Sequence, residues 1–232
     1  MQKLLDEMNK EMMENYIAVS KERNPVYINL RSLDKNQIIF SLVQYSIFPK
    51  NIVDFLMAAR DKARREGWNE VALELTRNIG EELGTETAGV THYKILASGI
   101  EKLTSTEIYS ALPSDSTQMF IGSMKRIMGN EDPAYVMGAV YALESSAVPE
   151  LQIVMDIVRI MSKQYAREMD FELKEFFAMH LGTWEPGHED GLRRTAQKFI
   201  EEDKYADFSR GFRDVMKTMD IWWTGLYQEE LQ

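Results

Sequence analysis

The sequence predicts an all-α protein that forms a single domain, residues 1–232, of roughly seven to nine helices. Apolar residues recur at three- and four-residue spacings along most of the chain, as in helices that bury one face. Runs typical of strands are few and short. The 13 glycines and 6 prolines are spread along the sequence, as expected for residues at turns and helix ends, and no linker is evident.

The N-terminal part of the chain contains the two segments that resemble strands. Residues 1–35 are interpreted as an N-terminal extension that packs on the bundle, and "VYINL" within them could be a strand. The run "IIFSLVQY" has a similar composition. We interpret it as a helix that continues towards Phe48 and Pro49, because an isolated strand would have no partner.

Amphipathic helices are predicted for the rest of the chain. Residues 51–68 have a helical period that ends near Gly67, and residues 69–84 continue the period. A long helix is expected after Asp132, which is a suitable N-cap because Pro133 follows it. Pro149 should kink or divide that helix. An apolar stripe near the C-terminus is expected to face the core: Phe208, Phe212, Val215, Met216, Met219 and Trp223.

Composition limits the partners that can be expected. The 232 residues include 37 acidic and 27 basic ones, and the formal net charge of −10 disfavours nucleic acid and anionic membranes. No cysteine is present, which excludes thiolate metal ligands and cysteine nucleophiles. The polar N-terminus is unlike a signal peptide, and no apolar run approaches the roughly 20 residues that span a bilayer. We therefore expect a cytoplasmic protein, and the Met-rich N-terminus suggests a homodimer.

All three histidines lie near acidic residues, in separate helical segments. Iron that reacts with dioxygen is bound by imidazole and carboxylate groups, with coordination positions left open. Helical bundles can supply such ligands from several helices that point inwards. The pattern therefore suggests a metal site, although the same residues could also be ordinary polar patches on a bundle.

The first segment is "NIGEELG", which is followed by His92. In an unbroken helix Glu81 would share a face with His92, whereas Glu82 would lie about 80° away. Gly84 and Gly89 make an irregular turn plausible between them. Spacing alone therefore does not choose between the two acids.

The second segment contains Glu144, an acid within an otherwise apolar helix. An ionised carboxylate buried there would be costly without a partner. The structural alternatives are a position at the rim of the core or a buried hydrogen bond. Tyr141 lies one turn earlier, on the same side of the helix.

The third segment runs from His180 to His188, eight residues that leave the two side chains about 80° apart on a regular helix. Pro186 cannot donate to the carbonyl of Gly182, so this turn must open or bulge. A bulge of one residue would return Glu185 and His188 to the face of His180.

These three segments resemble a known family. In order and spacing, "NIGEELG…H", "GAVYALESSAVP" and "FFAMHLGTWEPGH" are similar to the haem-oxygenase-like diiron oxidases and oxygenases, in particular the group of the chlamydial death-domain-associating protein and its bacterial relatives. The resemblance covers roughly Phe40 to Leu192. It implies a helical bundle that binds one or two iron ions in its core. It also implies that dioxygen oxidises a small molecule there, such as an amino acid, a fatty acid or an aminobenzoate precursor.

The resemblance also implies which residues bind the metal. The implied ligands are Glu82, His92, Glu144, His180, Glu185 and His188. Tyr45 and Tyr141 could lie near the metal as redox-active or hydrogen-bonding groups, or they could be core tyrosines with satisfied hydroxyls.

The sequence departs from the family pattern at two places. The family has an acid four residues after the first histidine of the last helix, whereas Trp184 stands there and Glu185 follows. An early glutamate of the family is replaced by Gln44, a poorer ligand, which predicts one weak metal position, and Asp54 is the fallback in an unfavourable register. Other members of the fold are poor matches. A haem oxygenase needs a histidine on an early helix, and thiaminases need a cysteine.

The function expected from the sequence is a non-haem iron oxidase or oxygenase that acts on a small organic substrate. The alternative is a metal-free binding module on the same bundle, with a decayed site.

Overall fold

The computed structural model describes residues 1–231, apart from the side chain of Thr183, and none of these residues lies in a strand. Helices α8, α9 and the π-helical turn between them are continuous, so the described residues form nine helices in one domain, which confirms the predicted fold class. A 3₁₀ turn, Glu202–Lys204, precedes the last helix. The bounds are α1 Gln2–Asn15, α2 Pro25–Asn29, α3 Lys35–Arg65, α4 Asn69–Glu82, α5 His92–Thr104, α6 Asp115–Met128, α7 Pro133–Tyr165, α8 Phe171–Met179, the π turn His180–Trp184, α9 Glu185–Phe199 and α10 Tyr205–Glu230.

Capping residues explain several helix starts. Asp132 accepts hydrogen bonds from the backbone N–H groups of Ala134 and Tyr135, which confirms the predicted start of α7. The strand interpretation of "VYINL" is wrong, because Asn24 caps a short helix there with Pro25 in its first turn.

The two internal prolines interrupt neither long helix. Pro49 lies inside α3, so the segments predicted on either side of it form one helix of 31 residues. Pro149 lies inside α7, which continues for 33 residues without division. Both helices cross the core, where the packing of their neighbours stabilises them despite the backbone hydrogen bond that each proline removes.

Helix α7 lies at the centre of the bundle and packs against α3, α9 and α10. Gly138 of α7 allows the closest approach, because a Cβ atom there would lie 1.8 Å from the carbonyl oxygen of Phe208. The predicted apolar stripe of α10 is buried along this contact. Residues 134–146 of α7 are therefore buried on every side, and Glu144 and Glu150 lie inside the protein.

Helix α1 packs on α9 and α10 through Leu5, Met8 and Met12, which are buried. The Asn9 side chain donates to a carboxylate oxygen of Glu189 over 2.7 Å. The N-terminal helix is thereby attached to the helix that follows the π turn. Among the described helices, none has the length and apolar character needed to cross a bilayer.

Candidate metal centre

All six predicted ligands line one cavity in the middle of the bundle, with a volume of about 70 Å³. Five of them are less than 10% exposed, and the Glu82 side chain is 11% exposed. They come from α4, α5, α7 and the continuous helix α8–α9. They form two groups of three, each with ligand atoms within 4.8 Å of one another. We call Glu82, His92 and His180 the His-rich group, and Glu144, Glu185 and His188 the acid-rich group.

The π turn aligns the ligands of the last helix. It spans His180–Trp184 and adds one residue to the helical turn just before Pro186, which confirms the bulge that the sequence predicted. Pro186 then lies in the first turn of α9, directly after the π turn, where the changed hydrogen-bond pattern accommodates its missing N–H. Because of this turn, His180, Glu185 and His188 all face the cavity.

The His-rich group is held by fixed side-chain orientations. The Nδ1 atom of His180 lies 2.7 Å from the carbonyl oxygen of Phe176 and donates to it, so Nε2 carries no proton and points towards His92. The Nδ1 atom of His92 lies 3.1 Å from this Nε2 and 3.1 Å from a Glu82 oxygen. The ring of His92 also stacks on Trp184, with centroids 4.4 Å apart.

The geometry of this group fits a cation. His180 Nε2 and the Glu82 carboxylate are both acceptors, and the single proton that His92 Nδ1 can carry can be donated to only one of them. The charged form of His180 is disfavoured by burial and by the nearby His92, which lower its pKa to about 3. Neutral imidazole is the form that binds metal ions. A metal ion between the three atoms would satisfy all of them at once.

The acid-rich group surrounds one imidazole with carboxylates. The Nδ1 atom of His188 lies 3.3 Å from a Glu144 oxygen and 3.5 Å from a Glu185 oxygen. Its Nε2 atom lies 2.6 Å from an oxygen of Glu81. Asn78, which is fully buried, donates to Glu144 over 3.4 Å.

Electrostatics shows that this group lacks positive charge. Burial alone would lower the pKa of His188, but the charge and hydrogen bonding of Glu144 and Glu185 outweigh burial and raise it to about 12. The pKa of Glu185 is raised to about 7, chiefly by burial and then by the charge of Glu144, although its hydrogen bond to His188 opposes the change. Without a metal ion, protons therefore supply the missing charge.

The turn between α4 and α5 determines which of the adjacent acids Glu81 and Glu82 contacts His92. Helix α4 ends at Glu82 and α5 begins at His92, so these residues do not share a helix. Gly84 has a φ of +98°, and a Cβ atom there would lie 2.6 Å from a backbone oxygen of Val90. Across this turn Glu82 faces His92, whereas Glu81 faces His188 and is paired with Arg77.

The tyrosines and the departures from the family pattern occupy different places. Tyr45 lines the cavity, whereas the Tyr141 hydroxyl donates to Glu189 over 3.2 Å and is not part of the cavity wall. Gln44 also lies outside the cavity wall. Its side-chain amide accepts a hydrogen bond from the Ser114 N–H and donates one to the Leu112 carbonyl. Asp54 is exposed.

Sequence reasoning missed two acids. Glu81 was considered only as an alternative ligand, and its hydrogen bond to His188 depends on the packing of α4 against α9. Glu150, which is 2% exposed, also lines the cavity. Like Glu144, it is an acid in an apolar helical run, "SSAVPELQIV", and that signal was available in the sequence.

The fold and these residues place the protein among the all-α proteins of the haem-oxygenase-like superfamily, in its CADD-like group, the group of the chlamydial death-domain-associating protein. The chain belongs to the family described as a domain of unknown function with solved structure, DUF3865, whose model matches residues 2–229. The resemblance inferred from the sequence is thus confirmed.

Solved structures agree with this assignment. A CADD-like protein of unknown function from Nostoc punctiforme PCC 73102 is 33% identical in one crystal structure, with a TM-score of 0.92 over 99% of this chain and 95% of that one. A second crystal structure described in the same words gives 35% identity and a TM-score of 0.94 over 100% and 98%. A TenA homologue from Pseudomonas syringae pv. tomato DC3000 shares the fold at 14% identity, with a TM-score of 0.67 over 98% and 92%. None of the curated proteins matches the chain.

Proposed function

We propose that the protein is a non-haem iron oxidase or oxygenase that uses dioxygen on a small organic substrate. One observation carries this proposal: all three histidines and three acids, from distant parts of the chain, converge on one buried cavity as two groups of three ligands. Nitrogen and oxygen donors without thiolates are typical of non-haem iron sites. The two groups correspond to two metal positions.

Iron bound by these side chains would supply the activation of dioxygen, and the chain supplies the environment. The imidazole rings are held in place by the Phe176 carbonyl and by the Glu81 carboxylate, which fixes the nitrogen that each presents. Three protein ligands in each group would leave coordination positions open for dioxygen and substrate.

The cavity wall suits an organic substrate. Its apolar part would hold a hydrocarbon body and exclude bulk water from the reacting atoms. Tyr45 stays a protonated phenol, because burial and then the charge of Glu150 raise its pKa well above the ordinary value. It can therefore donate a hydrogen bond to the substrate. The apolar lining includes Phe48, Ile52, Leu56, Leu143, Leu151 and Phe176.

The test is the iron content of the purified protein after expression with added iron. We expect about two ions per chain in the wild type and a large loss in the His92→Ala, His180→Ala double variant, which removes both imidazoles of one group. Glu150→Gln is the matched control, since it changes a carboxylate of the same cavity outside both groups and should keep its iron.

Oxygen consumption with a chemical reductant, measured on the same samples, should follow the iron content. Equal and negligible iron in the wild type and the double variant would contradict the proposal. That result would favour a metal-free bundle that binds an apolar ligand in the same cavity.

A further inference from the structure

Glu150 is a buried acid of the cavity that neither group of ligands uses. Its Oε1 atom accepts a hydrogen bond from the indole N–H of Trp223 over 2.7 Å, which fixes the carboxyl group. Among the described residues, its Oε2 atom has no hydrogen-bond partner, although the side chain is 98% shielded from solvent. The carboxyl group is thus fixed at the cavity wall with one oxygen free of protein partners, and this oxygen can accept a hydrogen bond from a ligand once the group is ionised.

The electrostatic setting of Glu150 favours a cationic partner. Burial raises its pKa to about 8, and the hydrogen bond from Trp223 only partly offsets this effect. No lysine or arginine is among the described residues that line the cavity. A substrate carboxylate would therefore meet no basic side chain, whereas an ammonium group would find a counter-charge in Glu150.

The position of Glu150 relative to the ligands sets the orientation of a bound molecule. It follows Glu144 by six residues on α7, a rise of roughly 9 Å along the helix axis. The wall at and between these levels is apolar on the same helix, where Ala147 lies between the two acids and Leu143 and Leu151 lie next to them. A short hydrocarbon chain would thus extend from Glu150 towards the two groups of ligands.

We propose that Glu150 determines specificity by binding an amino group, and that the substrate is a small apolar amine. The conclusion that the bound amine is a substrate rests on the proposed function. The amine-binding role of Glu150 rests on the structure of the cavity alone. The amine end lies against Glu150, and the hydrocarbon end lies at the metal ligands.

Binding of three probes of equal chain length tests the inference. n-Hexylamine, 1-hexanol and hexanoate are titrated calorimetrically into the wild type, Glu150→Gln and Glu230→Gln, with and without saturating Mn²⁺. The manganese samples prevent the amine from binding to empty ligand groups. Glu230 is the matched control, because it is also buried, its pKa is also raised to about 8, and it does not line the cavity.

We expect the amine to bind at least about tenfold tighter than 1-hexanol to the wild type and to Glu230→Gln, with and without manganese. In Glu150→Gln the preference should disappear. Binding of the amine should also release a proton, seen as an enthalpy that changes with the buffer, because Glu150 must ionise.

Equal affinities of the three probes for the wild type would overturn the inference, and this comparison holds even if Glu150→Gln does not fold. An amine preference that survives in a folded Glu150→Gln protein would also overturn it. Manganese content, measured on the same samples, separates the two proposals. A protein that binds the amine through Glu150 but takes up no metal contradicts only the iron function.

Discussion

The two groups of ligands share one cavity, but they differ in chemistry. The His-rich group has two imidazoles and one carboxylate, whereas the acid-rich group has one imidazole and two carboxylates. In the first group the pKa of His180 is lowered and the ring stays neutral. In the second the pKa of His188 is raised, and the ring stays protonated until a cation replaces the proton.

This difference predicts two unequal metal positions. The His-rich group is ready to bind a metal ion without losing a proton from His180. The acid-rich group attracts a cation more strongly through its carboxylates, but the ion must displace protons from His188 and Glu185. Occupancy of the acid-rich group should consequently depend more on pH. The following predictions separate the two groups.

The largest effect is expected from insertion of one alanine between Leu181 and Gly182. This extra residue inside the π turn would rotate Glu185 and His188 by about 100° away from the cavity, while His180 lies before the insertion. We expect the metal content to fall from about two ions per chain to about one, as measured by atomic emission.

Gly182→Ala is the matched control for the insertion. Nothing lies within 4 Å of the position that its Cβ would occupy, so both ions should remain. Retention of both ions by the insertion variant would show that the alignment by the π turn is unnecessary.

A smaller effect is expected for Glu81→Gln. Glu81 accepts from the Nε2 atom of His188, which orients the ring and leaves Nδ1 for the metal. Loss of such a partner typically weakens metal binding about 10- to 100-fold, and we expect this only for the acid-rich group. Competition with a chelator measures the two affinities. Glu74→Gln is the control, since Glu74 pairs with the same Arg77 and is not a partner of His188.

Stability should depend on pH differently with and without metal. In the metal-free protein the pKa values of Glu185 and His188 are raised to about 7 and about 12. The stability that these groups contribute is therefore present at low pH, and it is lost as pH rises through 7 and towards 12.

Between pH 7 and 9 we expect the free energy of unfolding of the metal-free protein to fall by about 1–3 kcal/mol relative to the metal-bound protein. Chemical denaturation of both forms at each pH gives this difference. The contribution of Glu230 cancels, because Glu230 does not line the cavity, and use of the Glu150→Gln background removes the contribution of Glu150. Parallel pH profiles would contradict the protonated state assigned to the acid-rich group.

The sequence predicted the fold and the alignment of the last helix because both depend on local chemistry. Helical periodicity marks the buried faces, and the missing N–H of Pro186 requires a bulge in the turn before it. The continuous course of α3 through Pro49 was not predicted, because tertiary packing overrides the local preference of proline there.

The roles of Glu81 and Glu82 could not be read from spacing. Which of the two acids contacts His92 depends on the conformation of the turn from Gly84 to Gly89. Helical geometry does not describe this turn, because it contains residues with positive φ. Glu150 shows a different limit. An acid in an apolar helix signals burial, but only the packing of α7 against α10 shows that Trp223 holds it at the cavity.

The smallest effect is expected at Asn78, where Asn78→Leu removes the hydrogen bond to Glu144 and nearly preserves volume. The bond is long, at 3.4 Å, and the Oδ1 atom of Asn78 is buried without a partner among the described residues. Loss of the bond and removal of the unpaired atom therefore oppose each other. We expect the affinity of the acid-rich group for metal to change by less than about threefold, and the metal-free protein to unfold at the same temperature or slightly higher.

A tenfold or larger loss of affinity in Asn78→Leu would contradict this expectation. It would mean that Asn78 itself binds the metal ion as a fourth ligand of the acid-rich group. Glu144→Gln sets the scale for that comparison, because it removes a ligand charge at the other end of the same hydrogen bond.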